Sequence, residues 1–194
     1  MTLIIGNEEP GRVILAADSA TGTPEESYTE PHLSKIAFCG GDRYLVGSCG
    51  SARVAQVLQH LTEWPEPPTS GDLLPFLIRE VVPEILRSVQ EASAAEPSNG
   101  LYLGKTTVVL LGVRGELYAL ASDLTVFRAR GPACIGCGRR AAYPVLEALE
   151  KAGVEPARRR MEMTLDVVAR HVPVVQPPFR FLELTAESGG GSAR

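Results

Sequence analysis

The chain has 194 residues, 44% of them hydrophobic and 22% charged, with a formal net charge of -4. That balance suits one sizeable globular core and excludes wholesale disorder, and its sign gives no electrostatic case for a nucleic-acid or anionic-membrane partner. No run approaches the roughly 18 apolar residues of a membrane span. The first apolar stretch, Leu3 to Ile5, is too short for a secretory leader. The four cysteines Cys39, Cys49, Cys134 and Cys137 need no disulfide framework, so a cytoplasmic domain is expected.

In chain order, Thr2 to Gly6 and Arg12 to Ala17 read as strands rich in Ile, Val and Leu, joined by a turn over Asn7 to Gly11. A polar loop over Gly22 to Pro31 separates them from a second pair, Ser34 to Cys39 and Arg43 to Gly47, joined at Gly40-Gly41-Asp42. A helix is expected from Ser51, its cap, to about Glu63, ended by Trp64-Pro65. Pro65, Pro67 and Pro68 make a stiff connector. A second helix, capped by Ser70 or Asp72, should run to about Ala94 with a kink at Pro83.

Four strands follow, over Thr106 to Val113, Glu116 to Ala121, Thr125 to Arg130 and Ala133 to Ile135. Helices over Gly138 to Lys151 and Met161 to Val172 lead to a closing strand over Pro178 to Leu184. The run Arg158-Arg159-Arg160 reads as a solvated surface. Strands this apolar on both faces need cover on each side. Two packed sheets with a helix pair outside each satisfy that within one domain over 1–186, leaving 187–194 as a flexible tail.

Four blocks carry a resemblance: "TLIIG" at the start, "GRVILAADSATG", "KIAFCGGDRYLVGSCGSARVAQVL" and "ACIGCGRRAAYPVLEAL". In order and spacing the chain resembles the proteasome β-subunit and HslV group of N-terminal nucleophile hydrolases. The resemblance implies an α+β fold, a four-layer αββα sandwich with Thr2 facing a cleft between the sheets. It implies a threonine peptidase whose nucleophile, Thr2, is exposed by removal of Met1. By the same resemblance Asp18 orients the catalytic Lys35, Gly47 lends its backbone N–H to the oxyanion, and Cys137 stands where the family carries a serine. Thr21 falls near the substrate backbone, and Cys49 is taken with it as substrate-binding. Homo-oligomeric rings and an ATP-dependent unfoldase partner are further implications, with polypeptide as substrate and no cofactor.

The chemistry is coherent in its own terms. A threonine hydroxyl needs a base within reach, and a free α-amine, with a pKa of about 7.7–8.0, titrates near operating pH. A lysine beside it favours the neutral, basic amine, and a carboxylate keeps the lysine charged and fixed. One departure stands out. Where the family carries a second Asp and a Ser before the last strand, this sequence has Gln176-Pro177-Pro178. An inert structural or assembly subunit of the same fold is therefore the alternative, and an amidase for a small molecule is a third reading.

Two other motifs are weaker. Cys134 and Cys137 form a C-x-x-C, but Cys39 and Cys49 flank a hairpin and make a poor second ligand pair for zinc. "GLYLGKTT" is one residue short of a phosphate-binding loop and runs into a strand where that motif requires a helix.

Overall fold

Leu3 and Ile5 point to one side of the first strand and Ile4 to the other, and all three are fully buried. The computed structural model, which describes residues 2–22, 27–29, 34–95 and 100–186, covers both faces. The expected tail over 187–194 lies outside the described residues.

Strands β1 (Leu3–Glu9) and β2 (Arg12–Ala17) form a hairpin at the centre of a four-stranded sheet. Its edges are β10 (Ala133–Gly136), against β1, and β11 (Arg180–Thr185), against β2. The second sheet has the order β5 (Ile36–Cys39), β6 (Tyr44–Cys49), β7 (Val108–Val113), β8 (Glu116–Leu120), β9 (Val126–Arg128). Every pairing in both sheets is antiparallel.

The layers follow from side-chain alternation. Ile4, Val13 and Leu15 of the first sheet meet Ile36, Leu45, Leu110 and Leu117 of the second, which makes the inner core. On the outside of the first sheet, Leu3, Ile5, Ile14 and Ala16 pack against helices α4 (Arg139–Lys151) and α5 (Ala157–His171). Outside the second sheet, Tyr44, Val46, Val109 and Leu111 pack against α1 (Ala52–His60) and a long helix over 73–91. The result is the expected αββα sandwich.

That long helix is not simply kinked at Pro83. It consists of α2 (Leu73–Phe76), a π-helical segment (Leu77–Val81) and α3 (Val82–Glu91). Pro83 has no N–H, and its ring crowds the carbonyl one turn back. The chain answers by widening the turn ahead of it, where the Val82 N–H reaches the Leu77 carbonyl. Asp72 is the cap, its Oδ1 accepting the Leu74 N–H at 3.0 Å. Ser51 likewise caps α1, which ends at His60, short of Glu63.

Other expectations are corrected in detail. β1 continues through Glu9, paired with Arg12, so the turn is only Pro10-Gly11. Where a polar loop over Gly22 to Pro31 was expected, β3 (Ala20–Gly22), which enters it, pairs with β4 (Ser27–Thr29) inside it. α5 begins at Ala157 rather than Met161, and Arg160 is buried with its guanidinium donating to the Val154 carbonyl at 2.8 Å. Arg158 and Arg159 are the solvated members of that run, paired with Glu183 and Glu162.

Candidate active site

The β1–β10 ladder closes with Leu3 opposite Gly136, so Thr2 is the residue just beyond the sheet. Its carbonyl accepts the Gly138 N–H at 3.4 Å and the Cys137 thiol at 3.3 Å. Its own N–H lies 3.3 Å from Cys137 Sγ. This close approach requires glycine at 136: its φ is +93°, and a Cβ there would stand 2.1 Å from the Thr2 carbonyl oxygen.

Asp18, just after β2, is the hub of the site. Oδ1 accepts the Leu3 N–H at 2.8 Å and Lys35 Nζ at 2.7 Å. Oδ2 accepts the Ala20 N–H at 3.1 Å and the Gln176 N–H at 3.3 Å. A carboxylate with 0% side-chain exposure needs such a set of donors, because it is cut off from solvent. Lys35 stands just before β5, and its carbonyl accepts the Ser48 N–H at 3.1 Å, which ties it to the end of β6.

The Gln176-Pro177-Pro178 stretch, which offers no carboxylate, still closes on this hub through its backbone. The Gln176 N–H reaches Asp18, its carbonyl accepts the Ser19 N–H at 3.0 Å, and the Ser19 hydroxyl donates to the Pro178 carbonyl.

Burial pushes the Lys35 amine below its usual pKa, and the Asp18 carboxylate works against that shift by charge and hydrogen bond. The Cys49 thiol is pushed up, chiefly by burial. Cys134 and Cys39 are each raised to about 12 by loss of solvent. Among the four free thiols Cys137 is exposed, while Cys39, Cys49 and Cys134 are buried.

A cavity of about 640 Å³ opens beside Thr2, with Cys49, Gly50, Lys105, Cys137 and Arg139 in its walls. Three of the residues singled out in the sequence, Thr2, Cys49 and Cys137, are therefore brought to one space, with Asp18 and Lys35 immediately behind Thr2. Gly47 is not brought there. It is paired with Ile36 on one side and Leu110 on the other, so its amide belongs to the sheet. An added Cβ would meet Ile36, Leu15 and Ile4 at 3.1–3.2 Å, so the glycine serves close packing of the two sheets. At the cavity end of β6 the glycine is Gly50, with φ +102° and the Thr107 backbone against it. Thr21 lies on β3, opposite Tyr28.

Sequence reasoning missed Gly50, Lys105 and Arg139. The "GSCGS" run offered two glycines, and nothing local distinguished the strand-interior one from the one at its end. Lys105 was weighed only as part of a phosphate loop that the following strand, β7, does not fit. Among the described residues, no group of three or more His, Cys, Asp or Glu side chains is placed to hold a metal ion, and no helix is long and apolar enough to cross a membrane.

No family model matches the sequence, and no curated protein matches it. Solved structures do. Thiobacillus denitrificans BPH in complex with epoxomicin matches over 96% of this chain and 100% of its own, with a TM-score of 0.77 at 17% identity. The fold is that of the proteasome-like N-terminal nucleophile hydrolases. HslV from Trypanosoma brucei matches over 94% of this chain and 99% of its own, with a TM-score of 0.64 at 14% identity. Anbu from Hyphomicrobium sp. strain MC1 covers 98% of this chain with 85% of its own length, with a TM-score of 0.66 at 15% identity. At these identities the HslV-like likeness is one of fold, and the chemistry rests on the residues of this chain.

Proposed function

We propose that this chain is a threonine peptidase subunit that hydrolyses peptide bonds through Thr2, once the chain ahead of Thr2 is removed. The observation that carries the reading is the junction at Asp18: one carboxylate oxygen holds both the Leu3 N–H, adjoining Thr2, and the Lys35 ammonium. That junction stands behind a cavity which Thr2 itself lines.

The freed Thr2 amine takes the hydroxyl proton, directly or through a water, as Thr2 Oγ attacks the scissile carbonyl. Lys35, held by Asp18, favours the neutral amine by its charge. Cys137 Sγ, 3.3 Å from the Thr2 nitrogen, keeps that amine oriented. With Gly47 bound into the sheet, the oxyanion donor belongs at the cavity end of β6, around Gly50. Collapse of the tetrahedral species passes the proton to the leaving amine and leaves an ester on Thr2, which water then hydrolyses.

The fold likeness to HslV and Anbu, and the exposed apolar side chains Leu61 after α1 and Tyr143 on α4, support a homo-oligomeric ring as the working assembly. A cytoplasmic setting, with an ATP-dependent unfoldase delivering polypeptide, fits the same reading.

The test is the intact mass of untagged protein, followed by turnover of fluorogenic peptides and trapping with epoxomicin, the ligand of the BPH structure. The expected result is a chain beginning at Thr2, an adduct on that residue, and at least a ~10³-fold loss of turnover in Thr2→Ala with an unchanged circular dichroism spectrum. A chain that retains Met1 in every molecule and turns over nothing would transfer the reading to an inert assembly subunit of the same fold.

A further inference from the structure

The walls of the Thr2 cavity carry a charge that the chain as a whole does not. The protein has a formal net charge of -4, yet the cavity is lined by two cations, Lys105 and Arg139, and by no carboxylate among the described residues. Some arginines and lysines elsewhere are drawn into ion pairs, such as Arg12 with Glu9, Arg87 with Glu84, and Lys151 with Glu147. Lys105 and Arg139 have no such carboxylate among the described residues, and the Arg139 guanidinium donates to the Gly136 carbonyl at 3.1 Å. Asp18 does not offset them, because it is outside the cavity lining and matched to Lys35.

The two cations come from separate elements. Lys105 stands on the connection entering β7, and Arg139 is the first residue of α4, two positions beyond Cys137. Val108 and Ile135 supply apolar wall to the same cavity. A side chain with an aliphatic stem and a negative end therefore matches this space, whereas a lysine or arginine side chain would meet like charge.

We propose that the cavity is the acyl-side specificity pocket and that it selects peptides with glutamate or aspartate contributing the scissile carbonyl. The inference rests on the threonine-peptidase reading and deepens it by naming the substrate class. The carbonyl attacked by Thr2 must lie at that residue, so the side chain carried beside that carbonyl enters the space that Thr2 borders. Lys105 and Arg139 are specificity residues here. They touch the substrate side chain and take no part in moving protons.

The test uses four fluorogenic peptides identical except for Glu, Gln, Leu or Arg at the residue before the cleaved bond. The kcat/KM of each is measured with wild-type protein, Lys105→Glu, Arg139→Glu and the double variant, with Lys151→Glu as a distant charge control. The expected order is Glu first and Arg last. Each charge reversal should cut the Glu-to-Gln ratio by about fivefold, the scale of an accessible ion pair, and the double variant should favour Arg. The Glu-to-Gln ratio should also fall as salt rises, and Lys151→Glu should leave it unmoved. Thr2-dependent turnover that favours Leu or Arg, or a Glu preference that survives the double reversal, overturns the specificity and leaves the peptidase standing. No turnover of any peptide, with no epoxomicin adduct on Thr2, overturns the peptidase reading and the specificity with it.

Discussion

Strand β1 is held at both ends by a carboxylate that accepts a backbone N–H and pairs with a cation, yet the two ends are built for different work. At the far end, Glu8 accepts the Leu117 N–H at 2.8 Å and the Arg128 guanidinium at 2.7 Å, and Arg128 also pairs with Glu116 and lies over the Tyr118 ring. Those side chains keep a quarter to a third of their surface in water, 30% for Arg128 and 24% for Glu8. At the Thr2 end, Asp18 and Lys35 keep 0% and 7%. Water screens the first cluster, which tolerates an imperfect fit: Arg128 Nε is buried without a hydrogen-bond partner among the described residues. The second has no water to rely on, and Asp18 is given four donors. The same device fastens one sheet to the other at Glu8, and at Asp18 it also fixes a lysine charge beside a candidate nucleophile. Burial is what separates the two roles.

The sharpest way to break this contrast is Asp18→Ala. It strands the Lys35 charge and removes the acceptor of four bonds, and a cost of about 3–5 kcal/mol is expected. Peptide turnover should be lost as well. Urea denaturation and kcat/KM on the same preparation check both, and a variant as stable as wild type would mean that the buried pair holds nothing together. Asp18→Asn, which keeps the shape, should recover part of the stability and little of the turnover.

Glu8→Ala should cost less, about 1–2 kcal/mol for a partly exposed pair and one backbone bond, and leave turnover within about twofold of wild type. A collapse of activity in Glu8→Ala with stability preserved would erase the distinction between the two ends.

The smallest effect expected is in pH dependence. Because burial lowers the Lys35 pKa on folding, the unfolded chain holds more protons than the folded one between the depressed value and the ordinary value of about 10.4. Stability from this group therefore rises with pH across that window. Denaturation midpoints from neutral pH upward should climb for wild type relative to Lys35→Met. A fall would show that Asp18 outweighs burial.

The architecture was legible because most strands are runs of Ile, Val and Leu and most helices carry caps or breakers that punctuate them. Thr2, Asp18 and Lys35 were singled out by the resemblance to the N-terminal nucleophile hydrolases. What escaped was whatever depended on partners distant in sequence. Glu8 and Glu9 read as turn residues because nothing local announces Arg128 or the Arg12 register. Ala20 to Gly22 and Ser27 to Thr29 carry too little apolar alternation to declare a ladder. Arg160 looked like one of three solvated arginines, and only the chain reversal before α5 gives it the Val154 carbonyl. Gly47 illustrates the ambiguity of glycine itself, since close approach to a substrate and close approach of two sheets demand the same absent side chain. The cavity cations escaped because they meet only in three dimensions.

The widened turn ahead of Pro83 bears on how this chain tolerates length change. Along that helix the buried apolar positions are Leu73, Leu77, Val81, Ile85 and Val89, a beat of every fourth residue. A regular helix with 3.6 residues per turn would carry such a beat steadily around its circumference and off the sheet. The π segment takes up one extra residue locally and brings the later positions back into line, with Ile78 left facing outward. The segment is thus a slack loop in an otherwise rigid rod. A single-residue deletion within 77–81 should keep the later apolar positions on the sheet at the cost of the Pro83 clash alone, whereas the same deletion in α1 or α4 would turn half of an apolar stripe toward water.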